Sequence, residues 1–431
     1  MGIFEAIGIE YVTIFIIFLT LILFLMDRLP LAVTAMISAI ALGLVGAMEW
    51  DRVYAGFSST LVMLVLGMMI VGHALFKTGV VVIIGRAIMK TRFAKKESSL
   101  IILLMLIVGL ISAFLSNTAT VATFIPLIAA MVAASGGMLK NKNILMPVGM
   151  AASIGGTMTL VGSTAQPMIN SVLLEYDQTP LAMFDFAWVA IPMMIVLTIY
   201  MATIGNKMQH KIYNFDDIVE KPDISSFEDF KPNSKTYIAA ITMILSIIGF
   251  ITGVFPIEVI ALMAAAVVLV TRCVEFKDTM KNIDWNTILL MAFAQGIAAG
   301  MNDSGAGNML ADAAVSVVGD NVWVLFIVAI LITVILTNIM SNTAVAAMMA
   351  PIFIVISVNI GYEPYVFMMG IALAANASIA TPIGGTAMSQ VLVGGYRFRD
   401  YIKIGGPITV ILTIMIIIIT PLVFGFNPIE K

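Results

Sequence analysis

Hydrophobic runs of about 18 residues recur from one end of this chain to the other, and runs of that length read as transmembrane helices. Apolar residues make up 61% of the sequence and charged residues 11%, against roughly 45–50% and about 25% in soluble domains. Mean hydropathy is +1.08. The expected class is an all-α polytopic membrane protein with the lipid bilayer as its solvent, so the 431 residues are no guide to domain count. A net charge of −3 leaves no nucleic-acid footprint. The single cysteine, Cys273, has no intramolecular partner. No basic region precedes the first apolar run near Ile9, so no signal peptide is expected. The 33 methionines suit soft core filling better than a metal track.

About ten spans are expected, near 9–26, 31–48, 56–75, 144–173, 187–206, 236–253, 256–273, 285–302, 364–392 and 404–425. Two further stretches are apolar but interrupted. Residues 98–135 break at Ser116-Asn117-Thr118, and residues 322–360 break at Ser341-Asn342-Thr343. Each is long enough to enter the membrane, turn and leave on the same side, as a re-entrant helical hairpin. Residues 77–96 read as an interfacial amphipathic helix, with Val80, Val81, Ile84 and Ile88 beside Arg86, Lys90 and Arg92. Residues 207–235 are polar and read as a solvated cytoplasmic linker between residues 1–206 and 236–431.

These halves repeat. Ser-Asn-Thr-Ala occurs at 116–119 and at 341–344, an offset of 225. TLVGSTA at 159–165 returns as TPIGGTA at 381–387, an offset of 222. Paired interruptions in corresponding halves point to a transporter binding site at the midplane. With both termini outside and both hairpins non-crossing, every Lys and Arg except Arg52 and Lys431 falls on the cytoplasmic side. Glu5, Glu49, Asp51, Glu175, Asp177, Asp185, Asp303, Asp312, Asp320 and Glu363 fall outside. The first hairpin then opens inward and the second outward, which makes the repeats inverted.

The motifs sit in four windows free of Asp, Glu, Lys and Arg: 98–139, 143–174, 321–362 and 364–396. A buried ion without a counter-charge is costly, so a lone ion is a poor cargo there. Helix N-termini at a break suit an anion, and helix C-termini and unwound carbonyls suit a cation such as Na⁺. A cation taken up beside an anion lowers the net buried charge. Gly155, Gly156, Gly162, Gly384 and Gly385 are candidates for the unwound backbone, or for close helix packing. No His, Cys and carboxylate cluster forms a metal site, and no base stands near a Ser nucleophile, so an enzyme is not expected. His73 reads as a packed histidine, and Asp303 and Asp312 as surface groups.

The sequence resembles the divalent anion:sodium symporter family, INDY-type di- and tricarboxylate transporters with sulfate-transporting relatives. SNTAT at 116–120, SNTAV at 341–345, LVGSTAQ at 160–166, TPIGGTA at 381–387 and GGYRF at 394–398 carry the likeness. The resemblance implies a homodimer with an elevator-like transport domain. It implies one sodium site at Ser112, Ser116, Asn117 and Gly162, mirrored at Thr337, the Met340 carbonyl, Asn342 and Gly384. It implies substrate contacts from Ser116, Asn117, Thr118, Ser163, Thr164, Ser341, Asn342, Thr343, Gly385 and Thr386. Dicarboxylate members look like Gly/Ala-Thr-Pro-Pro-Asn at the breaks, where this chain has GSTAQ and GGTAM. The second break therefore has two registers, Gly384-Gly385-Thr386 by the repeat or Ala380-Thr381-Pro382 by the family. The family's leading helix is not found, hence the N-terminus placed outside.

The expected function is sodium-coupled symport of a small divalent anion across the cell membrane, a C4-dicarboxylate ahead of sulfate or another oxyanion. No cofactor is expected beyond Na⁺ as coupling ion. A sodium-independent exchanger of the same fold is the near alternative. An ion channel or cation/proton antiporter is the alternative from another class, disfavoured by the lack of intramembrane carboxylates.

Overall fold

The computed structural model describes residues 8–26, 28–89, 91, 96–135, 138–217 and 230–429. Glu5, Lys90, Arg92, Lys95, Lys221 and Lys431, with the middle of the 207–235 segment, lie outside the described residues. Within them the chain is helical, with one isolated β-bridge between Tyr362 and Pro428 and no strand. In a bilayer a helix satisfies its own backbone groups, which is why apolar runs settle into this form.

The first half runs through α1 (Ile9–Met26), α2 (Leu31–Val45), α3 (Thr60–Lys77), α4 (Val80–Met89), α5 (Glu97–Ser112) and α6 (Asn117–Ala134). It continues with α7 (Asn141–Gly155), α8 (Ala165–Glu175) and α9 (Ala187–Ile212). The second half holds α10 (Ser234–Thr252), α11 (Ile257–Val270), α12 (Phe276–Asn282), α13 (Trp285–Asp303), α14 (Ala306–Val318) and α15 (Val322–Thr337). It ends with α16 (Asn342–Asn359), α17 (Tyr365–Ala375), α18 (Thr386–Gln390) and α19 (Phe398–Phe424).

Six of these helices (α1, α3, α9, α10, α16 and α19) are long and apolar enough to cross a membrane. A seventh span results if α14 and α15, bent by 108° at their junction, count as one. Most of the other expected spans are shorter or broken helices. Hydropathy reads composition and not continuity. The runs at 31–48 and 256–273 yield helices of 15 and 14 residues, and those at 144–173 and 364–392 are each split by a break.

The duplication is visible in the packing. Helix α3 packs against α11, and α13 packs against α2, so each repeat's third long helix rests on the other repeat's second. Small residues allow the approach. A Cβ on Gly67 would lie 2.8 Å from the Ala261 carbonyl carbon, and one on Gly296 would lie 3.3 Å from the Ala39 Cβ. Each hairpin's returning helix also carries a proline nine residues after its Asn, Pro126 in α6 and Pro351 in α16. Buried methionines such as Met68, Met105, Met146, Met150 and Met168 fill the core.

Named contacts give the hairpins their sense. Glu97, which opens α5, accepts from Asn143 at the start of α7 and lies 3.0 Å from His210 near the end of α9. The first hairpin therefore returns to the end of the molecule where α9 finishes. Trp323 at the start of α15 and Tyr362 just after α16 both pack on Phe426. Tyr365 there donates to Asp185, which precedes α9. The second hairpin returns to the end where α9 begins. Helix α9 has 26 residues, about 39 Å at 1.5 Å per residue, so the hairpins open on opposite ends and the repeats are inverted.

In α4, Val81 and Ile88 are buried while Arg86 donates to Phe230 O at 2.6 Å. The described ends of the 207–235 segment pack closely: the Asp217 carboxylate accepts from Asn141 N at 3.0 Å and Lys142 N at 2.9 Å, capping α7. Asp303 is tied to Arg52, which also pairs with Glu175. Burial raises the Glu175 carboxyl above the ordinary carboxylate range, with Arg52 opposing that rise.

Gly155 has helical dihedrals and lies against the first hairpin. A Cβ there would stand 2.3 Å from the Gly109 Cα, a backbone atom that cannot rotate away. Gly155→Ala is expected to destabilise the protein by about 1–3 kcal/mol, read as a lower Tm of the purified protein in detergent.

Candidate functional site

Both hairpin tips break for the same local reason. Ser116 caps α6 by accepting from Ala119 N at 3.2 Å, and Ser341 caps α16 by accepting from Ala344 N at 3.2 Å. Capping by the first serine starts a new helix within the apolar run. Thr164 and Gly385 precede α8 and α18. These four starts converge on a cavity of about 600 Å³. Ser116, Asn117, Thr118, Ser163, Thr164, Ser341, Asn342, Thr343, Gly385 and Thr386, the ten residues implied for substrate contact, all line it.

The halves meet there reciprocally. Thr118 Oγ1 lies 2.5 Å from Thr386 Oγ1, and Thr164 Oγ1 bonds Thr343 Oγ1. Each hairpin tip thus touches the break of the opposite repeat. Among the described residues no Lys or Arg lines the cavity, and its ionisable lining groups are His73 and Asp284. Converging helix N-termini present free N–H groups and partial positive charge, so the lining favours an anion without a cationic side chain.

Helix C-termini gather beside the tips. One end of the Asn117 carboxamide lies 2.6 Å from Ser112 Oγ, 3.0 Å from Ala152 O and 3.1 Å from Gly162 O. Ser112 ends α5, and Ala152 is in the last turn of α7. In the mirror position, one end of the Asn342 carboxamide lies 2.8 Å from Thr337 Oγ1, Ser378 Oγ and Gly384 O and 2.9 Å from Ala375 O. Thr337 ends α15 and Ala375 ends α17. With its oxygen turned to these partners, each Asn completes a cluster of neutral oxygens at two negatively poled helix ends. Such hard donors suit an alkali cation. Met340 is not among the partners of the Asn342 carboxamide; Ser378 supplies the additional oxygen.

The second break follows the register of the internal repeat. Thr159 Oγ1 donates to Ala113 O, and Thr381 Oγ1 donates to Asn338 O at 2.6 Å. Three residues after each threonine comes the glycine whose carbonyl faces the Asn, Gly162 or Gly384. None of Gly155, Gly156, Gly162, Gly384 and Gly385 has positive φ, so left-handed backbone does not explain them. Space does. A Cβ on Gly162 would lie 2.5 Å from Gly156 O, and one on Gly384 would lie 1.7 Å from Thr337 O.

Sequence reading missed Asn376, Gln166 and Ser378, all fully buried. Asn376 Oδ1 accepts from Ser163 Oγ at 2.6 Å and from Asn342 Nδ2 at 3.2 Å. Their only sequence signal is polarity inside apolar, charge-free runs. His73 Nε2 lies 3.5 Å from Asp278, at the end of the molecule the cavity reaches. Lys77 lowers the Asp278 carboxyl below its ordinary range.

An inverted-repeat helical membrane protein with two broken helices and two re-entrant tips around one polar cavity is a secondary transporter. Residues 21–368 match the CitMHS citrate transporter family, and the chain belongs to that family. It is 28% identical to a protein from Haemophilus influenzae known only as a transporter, over 92% of this chain and 88% of the other. It is 22% identical to the sodium-dependent dicarboxylate transporter SdcS of Staphylococcus saprophyticus, over 91% and 82%. The fold is similar to that of the Alcanivorax borkumensis YdaH transporter, with a TM-score of 0.62, 16% identity, and coverage of 89% and 87%. The protein is a multi-pass membrane transporter and not an enzyme.

Proposed function

We propose that the chain is a sodium-coupled symporter of a small divalent anion, with a C4-dicarboxylate as the leading substrate. The observation that carries this reading is the convergence of four helix starts on a cavity that no described Lys or Arg lines, flanked by two neutral oxygen clusters. A doubly charged anion held by partial charges alone remains costly to bury, and a cation in each cluster offsets it. Ser112, Asn117 and Gly162 hold one Na⁺, and Thr337, Asn342 and Gly384 the other, with Ser116 and the Met340 carbonyl adjoining. Thr118, Thr386, Thr164 and Thr343 contact the two ends of the anion, and Ser163 and Gly385 shape the pocket. The SdcS relative supports sodium and dicarboxylate; the family description names citrate, a larger anion that the same test includes.

By the positive-inside rule the end bearing Lys77 faces the cytoplasm, both termini lie outside, and the cavity opens inward. We place the protein in the cell membrane as a homodimer, with an elevator-like displacement exposing the site outward. Labelled succinate, citrate and sulfate uptake into proteoliposomes, with Na⁺ or K⁺ outside, tests the reading. Succinate is expected to accumulate only with Na⁺. Equal uptake in K⁺ would remove the sodium coupling, and uptake of sulfate alone would remove the dicarboxylate.

A further inference from the structure

A second cavity, of about 560 Å³ and sharing no lining residue with the first, lies where α3, α10 and the turn from α11 into α12 meet. Lys77, Lys235, Arg272, Lys277 and Lys281 line it against two carboxylates, Glu275 and Asp278. Its walls are tied to one another. Thr236 Oγ1 donates to Thr78 O at 2.8 Å, joining α10 to the end of α3. Cys273 Sγ donates to Lys235 O at 3.5 Å, joining the α11–α12 turn to α10. Lys77 Nζ lies 3.0 Å from the Asp278 carboxylate, joining α3 to α12. That pair cancels, which leaves four cations facing Glu275. Among the described residues Lys235, Arg272, Lys277 and Lys281 have no ion-pair partner.

Arg272 stands there at a cost to the fold. Its φ is +55°, and it closes α11 in a Schellman turn: Arg272 N donates to Leu269 O at 3.0 Å and Cys273 N to Val268 O at 2.9 Å. The ends of α2 and α10 place Gly46 and Gly253 in the same left-handed conformation, because a Cβ crowds the backbone there. An arginine gains nothing from that dihedral, but it brings a forked donor to the cavity, and such a fork matches phosphate oxygens while lysines add point charges. Tyr237, Val270 and Phe276 are exposed and flank these cations in sequence. The cavity therefore lies where apolar helix surface gives way to charge, the level at which a phospholipid carries its phosphate.

We propose that this cavity binds the phosphate headgroup of an acidic phospholipid, with Arg272 on the phosphate and Lys235, Lys277 and Lys281 offsetting its charge. The test is equilibrium binding of radiolabelled dioleoylphosphatidylglycerol to the purified full chain in neutral detergent, which depends on neither the transported ion nor the orientation in the bilayer. Binding is expected to saturate and to be displaced by unlabelled phosphatidylglycerol but not by phosphatidylcholine. Arg272→Gly is expected to weaken it about fivefold and at the same time to raise the Tm, a combination that a purely structural arginine would not give. Lys235→Gln/Lys277→Gln should weaken it about thirtyfold, at about fivefold per charge. Arg399→Gln, which removes an exposed basic residue outside the cavity, should leave it unchanged. Equal loss in Arg399→Gln, equal displacement by phosphatidylcholine, or undiminished binding in both cavity variants overturns the site. A lowered Tm in Arg272→Gly overturns the role of Arg272. Saturable binding of labelled inorganic phosphate without saturable lipid binding overturns the lipid and leaves a soluble phosphate compound as the ligand.

Discussion

Asn117→Ala and Asn342→Ala are each expected to abolish Na⁺-driven anion uptake while leaving the fold largely intact. Each carboxamide is a member of an oxygen cluster whose other members are hydroxyls and helix-end carbonyls, so no neighbour can replace it. A hydrogen-bond-scale contact to a charge is worth roughly 1.5–3 kcal/mol. Losing it should raise half-saturating Na⁺ about 10–100-fold. The helices themselves are capped by Ser116 and Ser341 and do not depend on the Asn side chains. Asn342→Asp separates cation from anion. A carboxylate there should keep or strengthen Na⁺ binding and still prevent anion uptake, because its charge faces the anion pocket. Near-normal uptake in both alanine variants would remove these residues from the mechanism. The measurements are initial uptake rates against Na⁺ and the Tm of each purified variant.

Gly384→Ala should be among the most damaging single-methyl additions in the protein, and its neighbour Gly385→Ala far milder. At Gly384 the new Cβ would stand 1.7 Å from Thr337 O, so the hairpin tip and the break must separate. Thr337 and Gly384 both face Asn342, and the second cluster is lost with that separation. Overpacking of this kind costs about 1–3 kcal/mol or more. At Gly385 the Cβ would meet Ser378 Oγ at 2.9 Å, a side-chain atom that can rotate. Uptake should vanish in the first variant and survive in part in the second. Equal uptake in both would show that the close approach at Gly384 does not hold the site together.

Several parts of this arrangement were legible in one dimension because duplication leaves two copies to compare. Ser-Asn-Thr at both tips, the glycines of both breaks and the charge-free windows around them are local patterns, and the residues they single out line one cavity. Pro126 and Pro351 were an equally local sign of the repeat, and passed unread. Which spans run unbroken is not legible, because a hydropathy window averages across a break. Asn376, Gln166 and Ser378 were not readable, since a buried polar residue in an apolar run takes its meaning from partners far along the chain. Ser163 and Asn376 are 213 positions apart. Sequence leaves the glycines at the breaks open between unwound backbone and close packing; their dihedrals are not left-handed, and the need is for room between backbones that the sequence does not show to be adjacent.

By itself, then, the sequence determined the solvent, the repeat, the inversion through its charge asymmetry, and the neutral chemistry of the site. These follow from composition and period, which local energetics impose on each segment independently. Tertiary structure alone decided which threonines face each other and which carbonyls surround each Asn. Those choices depend on distances between segments more than two hundred residues apart, and such distances are set by packing the whole chain at once.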